Sequence, residues 1–402
     1  MKIARAIARL NIGGPAIQAV LLTRELADAG HTTSLLIGNV PEPEGSMEYL
    51  ADQMGVTPVR IPSLSRAVSP FDDLRACWDI YRWLRRERPD LLHTHTAKAG
   101  AVGRLSAIAA RVPCVHTYHG NVFEGYFSRR KTAIYLLIER LLAFGTARII
   151  AISPRQREDL SSRYKVAPAE KISTVPLGFD LTRFLAIGRA RSMEPNHGRP
   201  LVVTWAGRMT AIKDPLMYSE IVALCTHQDS IGTFWMAGDG ELRGNVEASV
   251  ERLGLGERVR LTGWQREMNQ LYEQSDVLML TSKNEGTPVA AIEAMAAGCV
   301  VLLPDVGGVA DLMCGEPEAH AGYCVYDNGI LVKERTPEVF ADALGWLAAQ
   351  PERRQQMGRA ASSFAEQKFS KQRLVKDLED IYATVLRRTN MQPQLKEQGE
   401  TP

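Results

Sequence analysis

Short β-branched, apolar runs alternate along this chain with longer stretches of helical periodicity, starting with K-I-A-R-A-I-A at 2–8. That alternation predicts parallel sheets wound with helices, an α/β class. In the first half the predicted strands are Lys2–Ala8, Thr33–Gly38, Val56–Ile61, Leu91–His95, Val112–Tyr118, Arg148–Ile152 and Ile172–Val175. In the second half they are Leu201–Ala206, Thr233–Ala237, Val259–Thr262, Val277–Thr281 and Val300–Leu303. Between the halves, Leu185–Pro200 is basic and holds Gly188, Pro195, Gly198 and Pro200, so it reads as a linker. Pro337–Arg388 reads as helical, and Asn390–Pro402 as a polar, frayed end. Two such domains joined by a linker would leave a cleft between the carboxyl ends of two sheets, where folds of this kind bind ligands.

Composition narrows the function classes. A chain of 402 residues exceeds one core and implies two or three domains. Lys plus Arg exceeds Asp plus Glu by 48 − 46 = 2, a balance that argues against nucleic acid as the main partner. No apolar run approaches the ~18 residues of a membrane span. Arg5 and Arg9 interrupt the N-terminal apolar stretch, which therefore suits a first strand better than a signal peptide. The six cysteines have no C-x-x-C spacing, which speaks against zinc or a disulfide scaffold and for reduced thiols in a cytoplasmic protein.

The segment E-G-T-P-V-A-A-I-E-A-M, 285–295, is mostly small and apolar yet carries two glutamates. Thr287 suits a helix N-cap and Pro288 the first helical position, so a helix is predicted to start there. Glu285 then lies in the loop before the helix and Glu293 roughly 8 Å along its axis. The N–H groups and positive dipole end between them form a seat for a diphosphate. A nucleotide sugar spans such a layout; a surface helix with solvated glutamates has the same spacing.

The context of this segment resembles the GT-B-fold retaining glycosyltransferases, in particular the large family-four group, whose members carry E-x7-E in a strand–loop–helix setting. Further motifs recur in that family's order: Gly13-Gly14, T-Y-H-G at 117–120, I-S-P at 152–154, V-P-L-G-F-D at 175–180, G-R-M-T-A-I-K-D at 207–214, A-G-D-G at 237–240 and G-W at 263–264. The resemblance implies two doubly wound Rossmann-like domains facing a cleft. The acceptor would bind over 1–184 and the nucleotide sugar over 201–365, with a linker over 185–200. A C-terminal helix, 366–388, would cross back to the first domain before a disordered tail, 389–402. It also implies that Arg208 and Lys213 hold the donor diphosphate, where a guanidinium fork and a lysine point charge suit growing negative charge. Backbone amides near Thr287, Pro288 and Val289 would share that task. Glu285 would hold donor sugar hydroxyls, Glu293 the ribose, and the loop at Gly263-Trp264 would lie beside the base. His119 would touch the donor sugar near the reacting carbon.

Other features keep two readings. His93, His95, His116 and His119 form H-x-H and H-x-x-H spacings; residues two apart on a strand share a face, so a zinc site competes with a hydrogen-bonded interior. No metal is expected. His95 and Lys98 are candidates for the acceptor side. Gly13-Gly14 permit close backbone approach and are candidates for donor binding, but N-I-G-G-P-A lacks G-x-G-x-x-G, which weighs against a dinucleotide. The family often has an acidic residue soon after these glycines, where Pro15-Ala16-Ile17-Gln18 stand here. The segment 128–143, S-R-R-K-T-A-I-Y-L-L-I-E-R-L-L-A, is either a membrane-surface helix with Arg129, Arg130 and Lys131 toward anionic lipid or a core helix with a basic start.

The expected activity is a retaining, metal-independent glycosyltransferase of hexosyl type, without cofactor. It would move a sugar from a nucleotide diphosphate donor, a UDP-sugar foremost, to a glycan or lipid-linked acceptor hydroxyl in cell-envelope or exopolysaccharide synthesis. The expected location is the cytoplasm, with attachment at the inner face of the membrane. A GT-B sugar-nucleotide epimerase and a non-catalytic nucleotide-sugar binder are the rivals; the intact set Arg208, Lys213, Glu285 and Glu293 favours the transferase.

Overall fold

The computed structural model describes residues 1–11, 13–40, 45–64, 69–120, 129–193, 199–228 and 230–397, except the side chains of Arg129, Lys131 and 390–397. The chain forms two compact units, Met1–Phe179 with Lys371–Pro402, and Asp180–Ser370.

The first unit is built on β1 (Lys2–Ile7), β2 (Thr32–Ile37), β3 (Val59–Arg60), β4 (Leu91–His95), β5 (Cys114–Tyr118), β6 (Arg148–Ala151) and β7 (Ile172–Thr174). Their order is β3-β2-β1-β4-β5-β6-β7, all parallel. Most strand residues are buried, β4 and β5 throughout, as expected where helices cover both faces of a parallel sheet. The order reverses between β1 and β4, where Ile7 lies opposite His95, so the loops after these strands diverge and open a crevice at their carboxyl ends. One face is covered by the last helix, Lys371–Glu397, whose Leu374, Leu378, Tyr382 and Val385 pack on Ile3, Leu91, Val115 and Ile150. That helix continues through 389–397, where a disordered tail was expected: its buried stripe nucleates a helix that then propagates.

The second unit contains β8 (Leu201–Ala206), β9 (Ile231–Ala237), β10 (Val259–Gly263), β11 (Val277–Met279), β12 (Val300–Pro304), β13 (Glu318–Ala319), β14 (Tyr323–Tyr326) and β15 (Gly329–Val332). The order is β10-β9-β8-β11-β12-β15-β14-β13, parallel except that β14 pairs antiparallel with both of its neighbours, β15 and β13. The reversal again falls beside the first strand, between β8 and β11. The hairpin of β14 and β15 lies outside the sequence expectation. Each strand has only four residues, and Asp327-Asn328 joins them. Buried Asn328 fixes the turn by donating to Leu312 O (2.8 Å) and accepting from Cys314 N (2.9 Å).

The expected linker over 185–200 is replaced, through 193, by a helix, Thr182–Met193, that belongs to the second unit. Gly188 lets it approach closely: a Cβ there would stand 2.5 Å from Ala296 O. Arg191 donates to Tyr272 O and Glu273 O, both at 2.7 Å. Residues 194–198 of the expected linker lie outside the described residues.

Candidate active site

In the second unit, the loops at the switch point carry the predicted basic and acidic side chains. Bonds from Gly207 N to Ala237 O (3.0 Å), Met209 N to Asp239 O (2.9 Å) and Gly238 N to Gly263 O (2.8 Å) lace together the loops after β8, β9 and β10. G-R-M-T, A-G-D-G and G-W thus form one rim, with Arg208 exposed and Trp264 44% exposed upon it. Arg208 makes no ion pair among the described residues, so its charge is uncompensated. Lys213 behaves differently. Its Nζ lies 2.5 Å from Glu285 Oε1, which also accepts from Ser282 Oγ at 2.6 Å.

The scaffold under this pair was not evident from sequence. Thr281 Oγ1 donates toward Asp214 O (2.8 Å) and Lys213 O (3.1 Å) while accepting from Trp205 Nε1 (3.1 Å). Asp214 takes a left-handed conformation, φ 49°, and Arg335 holds its carboxylate at 2.8 Å. Arg335 follows β15, far away in the chain, and nothing in its neighbourhood of sequence marks it.

The helix expected to be capped by Thr287 and to start at Pro288 begins one residue later, at Val289. Pro288 is extended (φ −71°, ψ 116°), and it is Pro288 O, not the Thr287 hydroxyl, that accepts from Ala291 N (3.1 Å) and Ile292 N (3.3 Å). The N–H groups of Val289 and Ala290 have no partner among the described residues and supply the positive end that an anion would meet. The loop is held from behind: Gly308 N donates to Glu285 O at 3.1 Å, and a Cβ on Gly307 (φ +55°) would fall 1.8 Å from the same oxygen. Glu293, inside the helix, is partly buried, and no hydrogen bond reaches its carboxyl among the described residues. Burial pushes that carboxyl up to about 7.

In the first unit, Gly13 caps the helix Gly14–Asp28 that follows β1, and Gly13 N approaches Met47 Sδ at 3.4 Å. His93 and His95 share a face, as the strand period requires, with ring centroids 4.3 Å apart. His93 is committed to hydrogen bonds with Tyr382 Oη (2.6 Å) and Thr117 Oγ1 (2.7 Å). His95 Nδ1 meets His119 Nε2 at 2.8 Å, and buried His95 Nε2 has no partner, as is true of the neighbouring Thr96 Oγ1. His116 instead bonds Thr94 Oγ1 at 2.8 Å. The H-x-x-H pair is therefore divided, with only His119 beside the H-x-H pair. Burial lowers His93, His95 and His116 well below the usual histidine value and His119 to about 4, so all four are neutral near pH 7. Lys98, expected on the acceptor side, forms an ion pair with Asp73. Its first-turn position on the helix Ala97–Ala110 leaves its long side chain within reach of Asp73 on the neighbouring helix Pro70–Glu87.

The two switch-point units, one of them with a basic rim, a helix end and two glutamates, are those of a GT-B glycosyltransferase. Residues 12–183 match the description "Glycosyltransferase Family 4" and residues 200–350 "Glycosyl transferases group 1". The chain is 32% identical over 269 residues to the UDP-Gal:alpha-D-GlcNAc-diphosphoundecaprenol alpha-1,3-galactosyltransferase of Escherichia coli, covering 65% of this chain and 69% of that one. It is 28% identical over 319 residues to the D-inositol 3-phosphate glycosyltransferase of Salinispora tropica, covering 73% of this chain and 63% of that relative. Anabaena HepE, solved in complex with UDP, shares the fold at a TM-score of 0.76 and 21% identity, over 96% of this chain and all (100%) of that one. The chain belongs to glycosyltransferase family 4.

Proposed function

We propose that the protein transfers a hexose from a UDP-sugar to a lipid-linked or glycan hydroxyl, with retention and without a metal. The donor is assigned to the unit Asp180–Ser370. Arg208, with the N–H groups of Val289 and Ala290, receives the diphosphate; Lys213 is shared between that group and Glu285. Glu285 orients sugar hydroxyls, Glu293 takes the ribose hydroxyls, and the Gly263-Trp264 loop flanks the uracil. The sugar C1–O bond breaks as the acceptor oxygen bonds to C1 on the same face, and the leaving phosphate accepts the acceptor's proton. Arg208 and Lys213 stabilise the charge that grows on that phosphate. In the first unit, acceptor contacts are assigned to the loop that leads from β1 to Gly13-Gly14 and to His95; neutral His119 offers a hydrogen bond rather than a proton-donating imidazolium. The observation that carries this reading is the switch-point arrangement itself: an uncompensated guanidinium, an ion pair and an open helix end meet at the carboxyl edge of β8 and β11.

The name of the E. coli relative supports a UDP-sugar and a diphosphoundecaprenol-linked acceptor. A membrane-borne acceptor accords with attachment through the helix Arg129–Gly145, whose Ile134, Leu137, Leu141 and Phe144 lie exposed on one stripe. Of the basic residues expected to face lipid there, Arg130 is exposed; the side chains of Arg129 and Lys131 lie outside the described residues. No helix among the described residues is long and apolar enough to cross a membrane.

The test is turnover of a panel of UDP-sugars on diphosphoundecaprenol-linked sugars with excess chelator, with the anomeric configuration read by proton coupling. An α-linked product from an α-donor under chelator is expected. Loss of activity restored by magnesium or manganese, or an inverted product, would overturn the reading.

A further inference from the structure

The first unit has a second concavity, at the end of its sheet opposite Gly13 and His119. It is lined at the amino ends of β5, β6 and β7 by Pro113, Arg148 and Lys171, by Arg111 and Ile108 at the end of the helix Ala97–Ala110, by Phe144 and by Arg388 of the last helix. Four of the lining residues are cations and one, Asp380, is acidic. Two helices end there and contribute on the order of half a negative charge each. Against about four positive charges this leaves an excess near two. Part of it is fixed in place: Arg148 donates to Ser173 Oγ (2.8 Å) and Lys171 to Phe144 O (3.0 Å), neither meeting a carboxylate in these bonds. Arg148 is depressed by burial and by its neighbours Arg388 and Arg157, as expected where cations gather without neutralisation.

The mouth of this basic concavity is apolar. Phe144 is 84% exposed and ends the stripe Ile134, Leu137, Leu141. Beside it stand Leu105 and Ile108, also exposed, on the adjoining helix. The two helices touch closely, since a Cβ on Gly145 would lie 2.3 Å from Ile108 Cδ1. Cations in a recess next to a continuous apolar strip match a molecule with a phosphate at one end and hydrocarbon at the other.

We propose that this recess is a head-group site for anionic phospholipid, in which Arg111, Arg148 and Arg388 receive the phosphate while Phe144, Ile108 and Leu141 enter the acyl boundary. The site deepens the membrane reading above and rests on it, but it adds a defined phosphate seat away from both switch points.

The experiment is co-sedimentation of the full chain with vesicles of phosphatidylglycerol or phosphatidylcholine. Strong binding to the first and at least ten-fold weaker binding to the second are expected. Each basic residue near an anionic surface is worth about five-fold, so Arg111→Ala with Arg388→Ala should weaken binding roughly thirty-fold. Both side chains are exposed or partly exposed, and the thermal unfolding midpoint should not move. Leu137→Ser with Leu141→Ser forms a separate arm. Vesicle binding lost only in that arm would overturn the head-group site while leaving membrane attachment standing; no binding by the unmodified chain would overturn both. Direct binding of inorganic phosphate and of soluble glycerophosphate with equal affinity by calorimetry, lost in the Arg111→Ala/Arg388→Ala variant and without vesicle binding, would make the recess a site for a free anion and overturn the lipid assignment. A dimer that the stripe variants dissociate, with no vesicle binding, would assign the face to a second copy and do the same.

Discussion

Glu285 and Glu293 share one loop and helix yet meet opposite surroundings, one ion-paired to Lys213, the other partly buried and unbonded. The spacing of these glutamates was readable in the sequence; their surroundings were not, because the partners come from Ser282, Lys213 and the burial supplied by the fold. The difference predicts different failures. A carboxyl raised to about 7 binds a proton on folding, so its burial costs stability increasingly as pH rises from the unfolded value of 4.5 through 7. Glu293→Gln should therefore raise stability by roughly 1–2 kcal/mol at pH 8, after allowance for partial exposure, and by almost nothing at pH 4. Ribose hydroxyls donate best to the ionised form. The affinity gap for UDP between the unmodified chain and Glu293→Gln should thus widen to about ten-fold above pH 7 and close below pH 6, by calorimetry. A gap independent of pH would remove Glu293 from the ribose. Glu285→Gln should instead leave UDP affinity within about three-fold and lower kcat by ten-fold or more, since UDP lacks the transferred sugar. Equal loss of both quantities would place Glu285 against the nucleotide.

Loops and helices explain where the reading of local pattern stops. Thr287-Pro288 gave a sound helix start to within one residue, but Gly308 and Gly307 hold the Glu285 carbonyl from another loop, and the chain stays extended at Pro288. Long-range contact of that sort leaves no mark on the segment it shapes. The same holds for the hairpin fixed by Asn328 and for Arg335 beneath Lys213. Gly307→Ala offers a test of the clamp: a Cβ 1.8 Å from a backbone oxygen cannot be relieved by a rotamer change, so the loop itself must move. We expect a loss of roughly 2–4 kcal/mol by denaturant midpoint, together with a fall in UDP affinity. Gly30→Ala is the comparison, also at positive φ (+87°) but with nothing within 4 Å of the added carbon, and should cost only about 1 kcal/mol with affinity unchanged. Equal costs would mean that backbone strain alone, and not the contact with Glu285, fixes Gly307.

The chain as it runs through both units shows the largest departure from the sequence reading. Most strand positions and the doubly wound class were legible, because short β-rich runs alternating with helical stretches have few other uses. The join was not: Gly188 and the basic side chains of 185–193 look like linker chemistry but are packing and capping chemistry. Gly188 allows contact with Ala296, and Arg191 caps carbonyls of the helix that ends at Gln274. The last helix, in turn, is an integral part of the first unit, since Tyr382 Oη bonds buried His93 Nδ1 and accepts from Arg5 Nη2 at 3.3 Å. Two fragments separate these views. Residues 180–370 should unfold cooperatively and bind UDP within a few-fold of the full chain, because every side chain proposed for the nucleotide itself lies inside them. Residues 201–365, cut where the sequence placed the boundaries, lose the helix Thr182–Met193 and expose the buried surface around Ala296 and Cys299. That fragment should have a lower denaturant midpoint and a shallower transition, with UDP affinity falling in step with the unfolded fraction. If 201–365 were as stable and as competent as 180–370, the helix would be a tether after all, and the boundary read from composition would be the correct one.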